Sequence, residues 1–248
     1  MDKIPVIRSG LMDHMANVRC ALSTRAGGVS GGSFGMNLSY SVGDRKEAVD
    51  ENRRRFFSNL GIEPHRVVVP KQQHTSNVEE VHAPGVYDFT DALVTSQTGL
   101  WLVVSVADCV PVFIADRERK AIAVAHAGWR GTAGSITAKA VQLMKSRYQS
   151  DSSDLVAFIG PSAGVCCYEV GNEVARQFHT SVVETRANKW YLDLKAENKR
   201  QLSECGISVE RIEVSPLCTI CNPETMHSYR RDKEKSGRMM GVIGMVGE

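Results

Sequence analysis

The sequence lacks a charge imbalance. Its 248 residues carry 30 basic and 28 acidic side chains, a net charge of +2, which leaves no electrostatic footprint for nucleic acid or an anionic membrane. It also lacks a membrane span. The most apolar stretch, GLWLVVSVADCVPVFIAD, is broken by Asp108 and Pro111, and a span needs about 20 predominantly apolar residues. The opening MDKIPVIRSGLMDHM holds no apolar core of a secretory signal. Cysteine does not form a disulfide framework: there are seven, an odd number, and Cys166 and Cys167 are adjacent. The chain therefore reads as cytoplasmic and reduced. Common catalytic signatures are missing too. There is no G-x-G-x-x-G and no G-x-x-x-x-G-K-[ST], so the glycines mark neither a dinucleotide fingerprint nor a Walker loop. There is no H-E-x-x-H and no H-x-E, and PLCTIC is not P-C-x-x-C, which removes the usual zinc nucleobase-deaminase signature. With no H-x-H pair and seven scattered histidines, the chain is poorly equipped to hold several coppers.

What is present is an ordinary globular composition, 42% hydrophobic and 23% charged. No repeat and no Pro- or Ser-rich linker interrupts it, so residues 1–248 read as a single domain. NVRCALSTRAGG predicts a strand at Val18–Ser23 entering a glycine-rich loop, residues 26–44, long enough to suggest a functional role. Asp44, with Glu47 three residues on, predicts the N-cap of a helix that runs to Leu60 and stops at Gly61. RVVVP and VEEV predict strands on either side of His74. DALVTS, WLVVSVA, VPVFIAD, KAIAVAHAG and LVAFIG predict five more, mostly continuous apolar runs of the kind covered on both faces. Helices are expected at about residues 132–148 and 173–178, and in DLKAENKRQLSECG, capped by Asp193 and stopped by Gly206. ISVERIEVS and GRMMGVIGMV predict closing strands. Strands follow one another too often for βαβ alternation, which points to an α+β fold with sheet on sheet and helices outside.

Three residues stand at strand ends with polar or small neighbours: His74, Cys109 and His126. Two imidazoles and a thiolate suit Zn²⁺ and leave a fourth tetrahedral position for water or substrate; the same donors accept copper at least as well. On spacing alone, a buried core cysteine and two hydrogen-bonded histidines is the simpler reading. HAGWRGTAG shifts that balance. Small residues after His126 bring backbone N–H groups to a helix start, where anions bind, and Arg130 adds a planar cation suited to phosphate. The competing reading makes Trp129 a packing anchor and Arg130 a surface ion-pair partner.

STRAGGVS, QQH, ADCVPV, HAGWRG, IGPSAGVCCYEVG and CTICNPETMHSYRRD resemble, in order, the landmarks of one bacterial family. It was long described as laccase-domain or multicopper polyphenol oxidase, and is now described as purine nucleoside phosphorylase with adenosine deaminase activity. The resemblance runs from Ser23 to about Gly241. Its most specific part is ADCVPV followed, 17 residues after the cysteine, by HAGWRG. It implies a four-layer α/β/β/α sandwich with mixed sheets, a fold shared with deamidating toxins that use a Cys/His pair. It implies zinc on His74, Cys109 and His126, with Cys109 and His126 at the catalytic centre. It implies purine nucleosides (adenosine, inosine, methylthioadenosine) and phosphate as small-molecule partners. The family more often has Gln-Val-His where this chain has Gln72-Gln73-His74; the ligand itself is kept.

Other residues carry weaker expectations. Arg25, in STRAGG, could reach the same cleft as a phosphate or ribose contact, and so could Arg230 and Arg231; each could equally be a surface arginine. Cys218 and Cys221 form a lone C-x-x-C without the second pair a structural zinc needs, and are expected to be structural; His227 is a less favoured third ligand. Asp108 could orient a ligand or accept a proton, although strand alternation would point it away from Cys109. Two readings compete with the zinc enzyme. One is a metal-free amide hydrolase with Cys109 as nucleophile, His126 as base and His74 orienting. The other is a zinc-binding protein with no catalysis.

Overall fold

Successive side chains on a strand face opposite ways, and in the central strands of this chain both faces are apolar. In the computed structural model, which describes residues 4–118 and 120–247, this parity sets the layers. Phe113 and Ala115 of the strand Val110–Asp116, and Ile122 and Val124 of the strand Ile122–Ala127, join Leu102, Val104 and Ile243 in one buried cluster. The alternate residues Val112, Ile114, Ala123 and Ala125 pack instead with Ile136, Ala140 and Met144 of the helix Ile136–Tyr148 and with Leu194 and Leu202 of the helix Leu194–Glu204. On the far side, Val103 and Val242 pack on Phe56 and Phe57 of the helix Lys46–Leu60. The order is helix, sheet, sheet, helix, the four-layer α+β sandwich that the resemblance implied.

Both large sheets are mixed and six-stranded. The first runs Val6–Ile7, Val18–Ser23, Met239–Met245, Trp101–Val106, Val67–Pro70, Gly85–Tyr87; its first three pairings are antiparallel and its last two parallel. The second runs Ile212–Val214, Leu155–Ile159, Val110–Asp116, Ile122–Ala127, Ala92–Thr95, Val78–Glu80, with parallel pairings only at its two edges. The register of the second sheet pairs Pro111 with His126 and Ala92 with Ala125. Cys109 therefore lies across from Gly128, and Asp91 across from His126. Residues 107–109 carry the chain from Trp101–Val106 in one sheet to Val110–Asp116 in the other, so Cys109 stands where the chain crosses between sheets. The C-terminal ends of Leu155–Ile159 and Ile212–Val214 and the start of Met239–Met245 come to the same end of the sandwich.

The structure departs from the sequence reading in four places. Residues 132–148 are not one helix: Trp129–Ala133 and Ile136–Tyr148 are separated at Ser135, which is left-handed (φ 58°). The break follows Gly134, where a Cβ would fall 2.7 Å from Cβ of Ser76. Asp44 is not the cap of its helix. Its carboxylate takes hydrogen bonds from Ser30 Oγ (2.6 Å) and Asn37 Nδ2 (3.0 Å), and Arg45 holds the cap position without a side-chain bond. Of ISVERIEVS only Ile212–Val214 is strand. An unanticipated three-stranded sheet, Glu169–Val170, Lys189–Leu192 and Val183–Arg186, is closed by a tight turn with Ala187 and Asn188 both at positive φ. The glycine-rich loop is ordered by Asn52, fully buried, whose Nδ2 donates to Ser30 Oγ and to the carbonyls of Gly35 and Asn37, while its Oδ1 accepts from Val29 N. Residues 1–3, 119 and 248, on which parts of the N-terminal, charged-turn and whole-chain readings fall, lie outside the described residues. Among the described residues no helix is long and apolar enough to cross a membrane.

Candidate metal centre

His74 reaches the crossing point because two side chains stand in for missing backbone pairing. Beyond Pro70 the first sheet loses its ladder, and Gln72 continues it: its Nε2 donates to Ser105 O (2.8 Å) and its Oε1 accepts from Ser105 N (2.7 Å). His74 then turns left-handed, φ 59°. The N–H groups of Gln73, His74 and Thr75 all donate to the Asp91 carboxylate, at 3.1, 3.0 and 2.8 Å, and Thr75 Oγ1 adds a bond of 2.8 Å. The same carboxylate accepts from His126 Nδ1 at 2.8 Å, and the Asp91 carbonyl accepts from His126 N at 2.7 Å. Asp91 is fully buried. Burial pushes its carboxyl up, but the bonds from His126, Thr75 and Gln73 outweigh burial and hold it well below the usual carboxylate range. One carboxylate thus shapes the loop of the first histidine and fixes the ring of the second. With Nδ1 engaged, His126 presents Nε2, as in carboxylate–histidine–metal arrangements.

The ligand atoms of His74, Cys109 and His126 lie within 4.8 Å of one another, and the two imidazole rings meet edge to face with centroids 4.9 Å apart. His126 is buried, Cys109 half-buried and His74 exposed, so the group opens to solvent on one side. Burial raises the Cys109 thiol, and the charge and hydrogen bonds of His126, with those of His74, reverse this and bring it down to about 6. Burial lowers His126, and the Cys109 thiolate and Asp91 reverse that, raising it to about 9. A thiolate between two imidazoles, one of them fixed by a buried carboxylate, is a donor set that fits Zn²⁺ and also copper. The glycines of HAGWRG serve this packing. A Cβ on Gly128 would fall 3.0 Å from Cys109 Sγ and 3.1 Å from His74 Cδ2, and one on Gly131 would fall 2.8 Å from Thr75 O. The helix that starts after His126, Trp129–Ala133, has only five residues.

Around the ligands, Asp108 ties three loops together. It sits at φ 105°. Its carboxylate accepts from Thr219 Oγ1 and from Arg230 N, both at 2.6 Å, and its carbonyl accepts from Ala163 N at 2.9 Å. The side chain is turned to the loops and not to Cys109. Tyr168 and Arg238 both feel the charge of Cys109. The Arg230 guanidinium lies over the Tyr168 ring (5.1 Å), and that of Arg238 over Tyr229 (5.3 Å). Burial first, then the Cys109 charge, push the Tyr168 hydroxyl up to about 12, so it stays a donor at neutral pH. Arg130 is exposed and stacks on Trp129 at 4.3 Å. The other two arginines expected at substrate are committed elsewhere. Arg25 bonds the carbonyls of Pro223 (2.6 Å) and Ser33 (2.9 Å). Arg231 bonds those of Thr219, Ile220 and Met226 and the Asp232 carboxylate. Sequence reasoning missed Asp91, Tyr168 and Arg238. For Asp91 a signal was present, an acidic residue directly ahead of the apolar run ALVT; for Tyr168 and Arg238 there was none.

A four-layer sandwich that crosses between its sheets at a two-histidine, one-cysteine centre defines a narrow class of proteins. The family described as multi-copper polyphenol oxidoreductase laccase matches residues 19–246, and the chain belongs to it. A protein of Geobacillus stearothermophilus named purine nucleoside phosphorylase YlmD is 35% identical over 92% of this chain and 90% of its own. A purine nucleoside phosphorylase of Corynebacterium glutamicum is 38% identical over 93% of this chain and 96% of its own. The crystal structure of YlmD from Geobacillus stearothermophilus superposes with a TM-score of 0.92 at 32% identity, covering 100% of both chains.

Proposed function

We propose that this chain is a zinc-dependent purine nucleoside phosphorylase, acting on inosine and adenosine (and methylthioadenosine), with a second activity as an adenosine deaminase. The observation that carries it is the ligand group of His74, Cys109 and His126 within 4.8 Å, open to solvent and braced by Asp91. The relatives' name supplies the reaction. His74, Cys109 and His126 would hold the ion, which would supply Lewis acidity for a substrate oxygen. In phosphorolysis a phosphate oxygen bonds to the anomeric carbon as the bond to the purine nitrogen breaks, and the purine leaves with a proton. Arg130, Arg230 and Arg238 are the cations suited to phosphate, and Tyr168 is a neutral O–H donor that feels the Cys109 charge. In deamination a water oxygen bonds instead to the purine carbon that carries the amino group, the bond from that carbon to the amino nitrogen breaks, and ammonia leaves with the water proton. Incubation with inosine tests the reading: hypoxanthine and ribose 1-phosphate should appear only when phosphate is added, and adenosine should yield inosine and ammonia without it. Free ribose in place of the phosphate ester would overturn the phosphorylase assignment.

One observation favours a second reading. Cys109, lowered to about 6, next to His126, whose Nδ1 is held by Asp91, is also a nucleophile, base and orienting carboxylate in sequence. In that metal-free amide hydrolase the orienting group would be Asp91, not His74. Amide hydrolysis that survives chelation and stops on alkylation of Cys109 would establish it.

A further inference from the structure

Four cysteines that the proposed reaction does not use come together from opposite parts of the chain. Cys166 and Cys167 lie in the loop after Leu155–Ile159, and Cys218 and Cys221 in the loop after Ile212–Val214. Those strands are parallel neighbours, so both loops leave the same end of the sheet. A bridge between Ser162 and Cys218 extends the pairing. The C-x-x-C that looked solitary in the sequence therefore has its second pair. All four sulfurs lie within 4.8 Å of one another. Sγ of Cys221 is 3.6 Å from that of Cys166 and 3.3 Å from that of Cys167. These are not bonded sulfurs, since a disulfide is about 2.05 Å. They approach the roughly 3.8 Å edge of a tetrahedron of thiolates set about 2.3 Å from a zinc ion.

The surroundings of Cys218 favour a sulfur that carries charge. The N–H groups of Gly164, Ile220 and Cys221 point to Cys218 Sγ, the first at 3.2 Å. A Cβ on Gly164 would be crowded, 3.2 Å from both Cys166 Sγ and Cys218 Cβ. Lys195, buried, donates to the carbonyls of Ser215 and Leu217, and its nearest opposing charges are Asp193, Cys218 and Cys166. Arg186 donates to Cys166 O. His227, the third ligand considered from sequence, is not in this group; it is buried against Gly237 and Asn37.

We propose that Cys166, Cys167, Cys218 and Cys221 form a second metal site, a tetrathiolate for a zinc-type divalent cation, which clips the loop after Ile159 to the loop after Val214. Four protein donors close the coordination shell, so the site is structural. Binding replaces the four thiol protons, which pass to solvent. The clip bears on the first centre through Thr219, which lies between two of the ligands. Thr219 N donates to Ser162 O and its hydroxyl to Asp108, the residue before Cys109.

The test counts ions without using activity, so its outcome is independent of the reaction proposed above. Protein purified under reductant without chelator and saturated with Zn²⁺ should hold about two ions per chain, of which Cys109→Ala removes one and Cys218→Ser the other. Replacing zinc by Co²⁺ in the Cys109→Ala protein should give the intense sulfur-to-cobalt absorption of several thiolates, and Cys218→Ser protein the weaker band of one. Thiol counting on unmutated protein guards against a variant that fails to fold: five cysteines, these four and Cys109, should become reactive only after chelation. A single ion per chain, lost entirely in Cys109→Ala, with the four thiols freely reactive in Zn²⁺, would overturn the proposal. Recovery of two of the four as a disulfide from reduced, zinc-saturated protein would also overturn it, in favour of a redox pair.

Discussion

Two sulfur-bearing groups occupy the same end of this sandwich, and they differ in what completes them. The first joins one cysteine to two histidines, with a buried carboxylate, Asp91, holding the ring of one and the loop of the other. The second joins four cysteines, with backbone N–H groups and a glycine against the sulfur. Three donors leave an ion a place for substrate; four do not. The two groups are also placed differently: Cys109 and His126 stand at strand ends set by sheet register and His74 on a loop held by Asp91, while the four cysteines stand on two loops that leave neighbouring strands.

The largest effect should come from breaking each group in turn. Cys109→Ala should lower phosphate-dependent inosine cleavage by more than the roughly 10–100-fold typical of losing an outer-shell partner. Cys218→Ser should lower the melting temperature far more than it lowers turnover per folded molecule. Calorimetry with a folded-fraction correction separates the two; equal loss of turnover in both variants would erase the distinction.

Next in size is Asp91→Asn. The amide keeps the shape but cannot accept five hydrogen bonds with a full negative charge. Zinc affinity at the first centre should fall about 10–100-fold, measured by competition with a chromogenic chelator, while the four-cysteine group keeps its thiol protection. Unchanged affinity at the first centre would remove Asp91 from the account.

A pH profile sharpens the comparison further. In metal-free protein the Cys109 thiolate contributes stability above its ordinary value of 9.0 and loses it as pH falls through about 6. The His126 imidazolium contributes below its ordinary 6.5 and loses it as pH rises through about 9. The pair is therefore ionic between about pH 6 and 9. Alkylation of Cys109 by iodoacetamide should reach half its plateau near pH 6, and His126→Asn should move that midpoint up. A midpoint near 9 in the unmutated protein would contradict the ion pair.

Smallest are the arginines. Arg130→Ala should raise the KM for phosphate several-fold with zinc retained and adenosine deamination little changed. Arg231→Ala should cost about 1–3 kcal/mol of stability, because its bonds go to main-chain carbonyls and Asp232, with the KM for phosphate unmoved in the folded fraction. Urea unfolding and phosphate titration read the two out.

Much of this was legible in the sequence, for particular reasons. The paired central strands could be read because both faces are buried, leaving continuous apolar runs. His74, Cys109 and His126 could be read because HAGWRG and the family resemblance single them out; their spacing alone favoured a buried cysteine and two hydrogen-bonded histidines. Asp91 stood out only as an acidic residue ahead of an apolar run; its action on a histidine 35 residues away runs through a register that no local pattern states. The four cysteines were split for the same reason, since the parallel pairing of Leu155–Ile159 with Ile212–Val214 joins them. The main-chain bonds of Arg25 and Arg231 could not be read, because every residue carries a carbonyl. The helix expected over residues 132–148 broke at Ser135 because residue 134 must lie against Ser76, a contact between segments far apart in the chain.

The most direct test of the central claim is inosine cleavage measured on one preparation in three states: as purified, after removal of metal, and after return of two equivalents of Zn²⁺, enough for both groups. Hypoxanthine and ribose 1-phosphate should form in the first state, fall to background in the second and return in the third, with Cys109→Ala protein at background throughout. Undiminished phosphate-dependent cleavage by the metal-free protein would contradict the assignment of His74, Cys109 and His126 as the metal centre of the reaction.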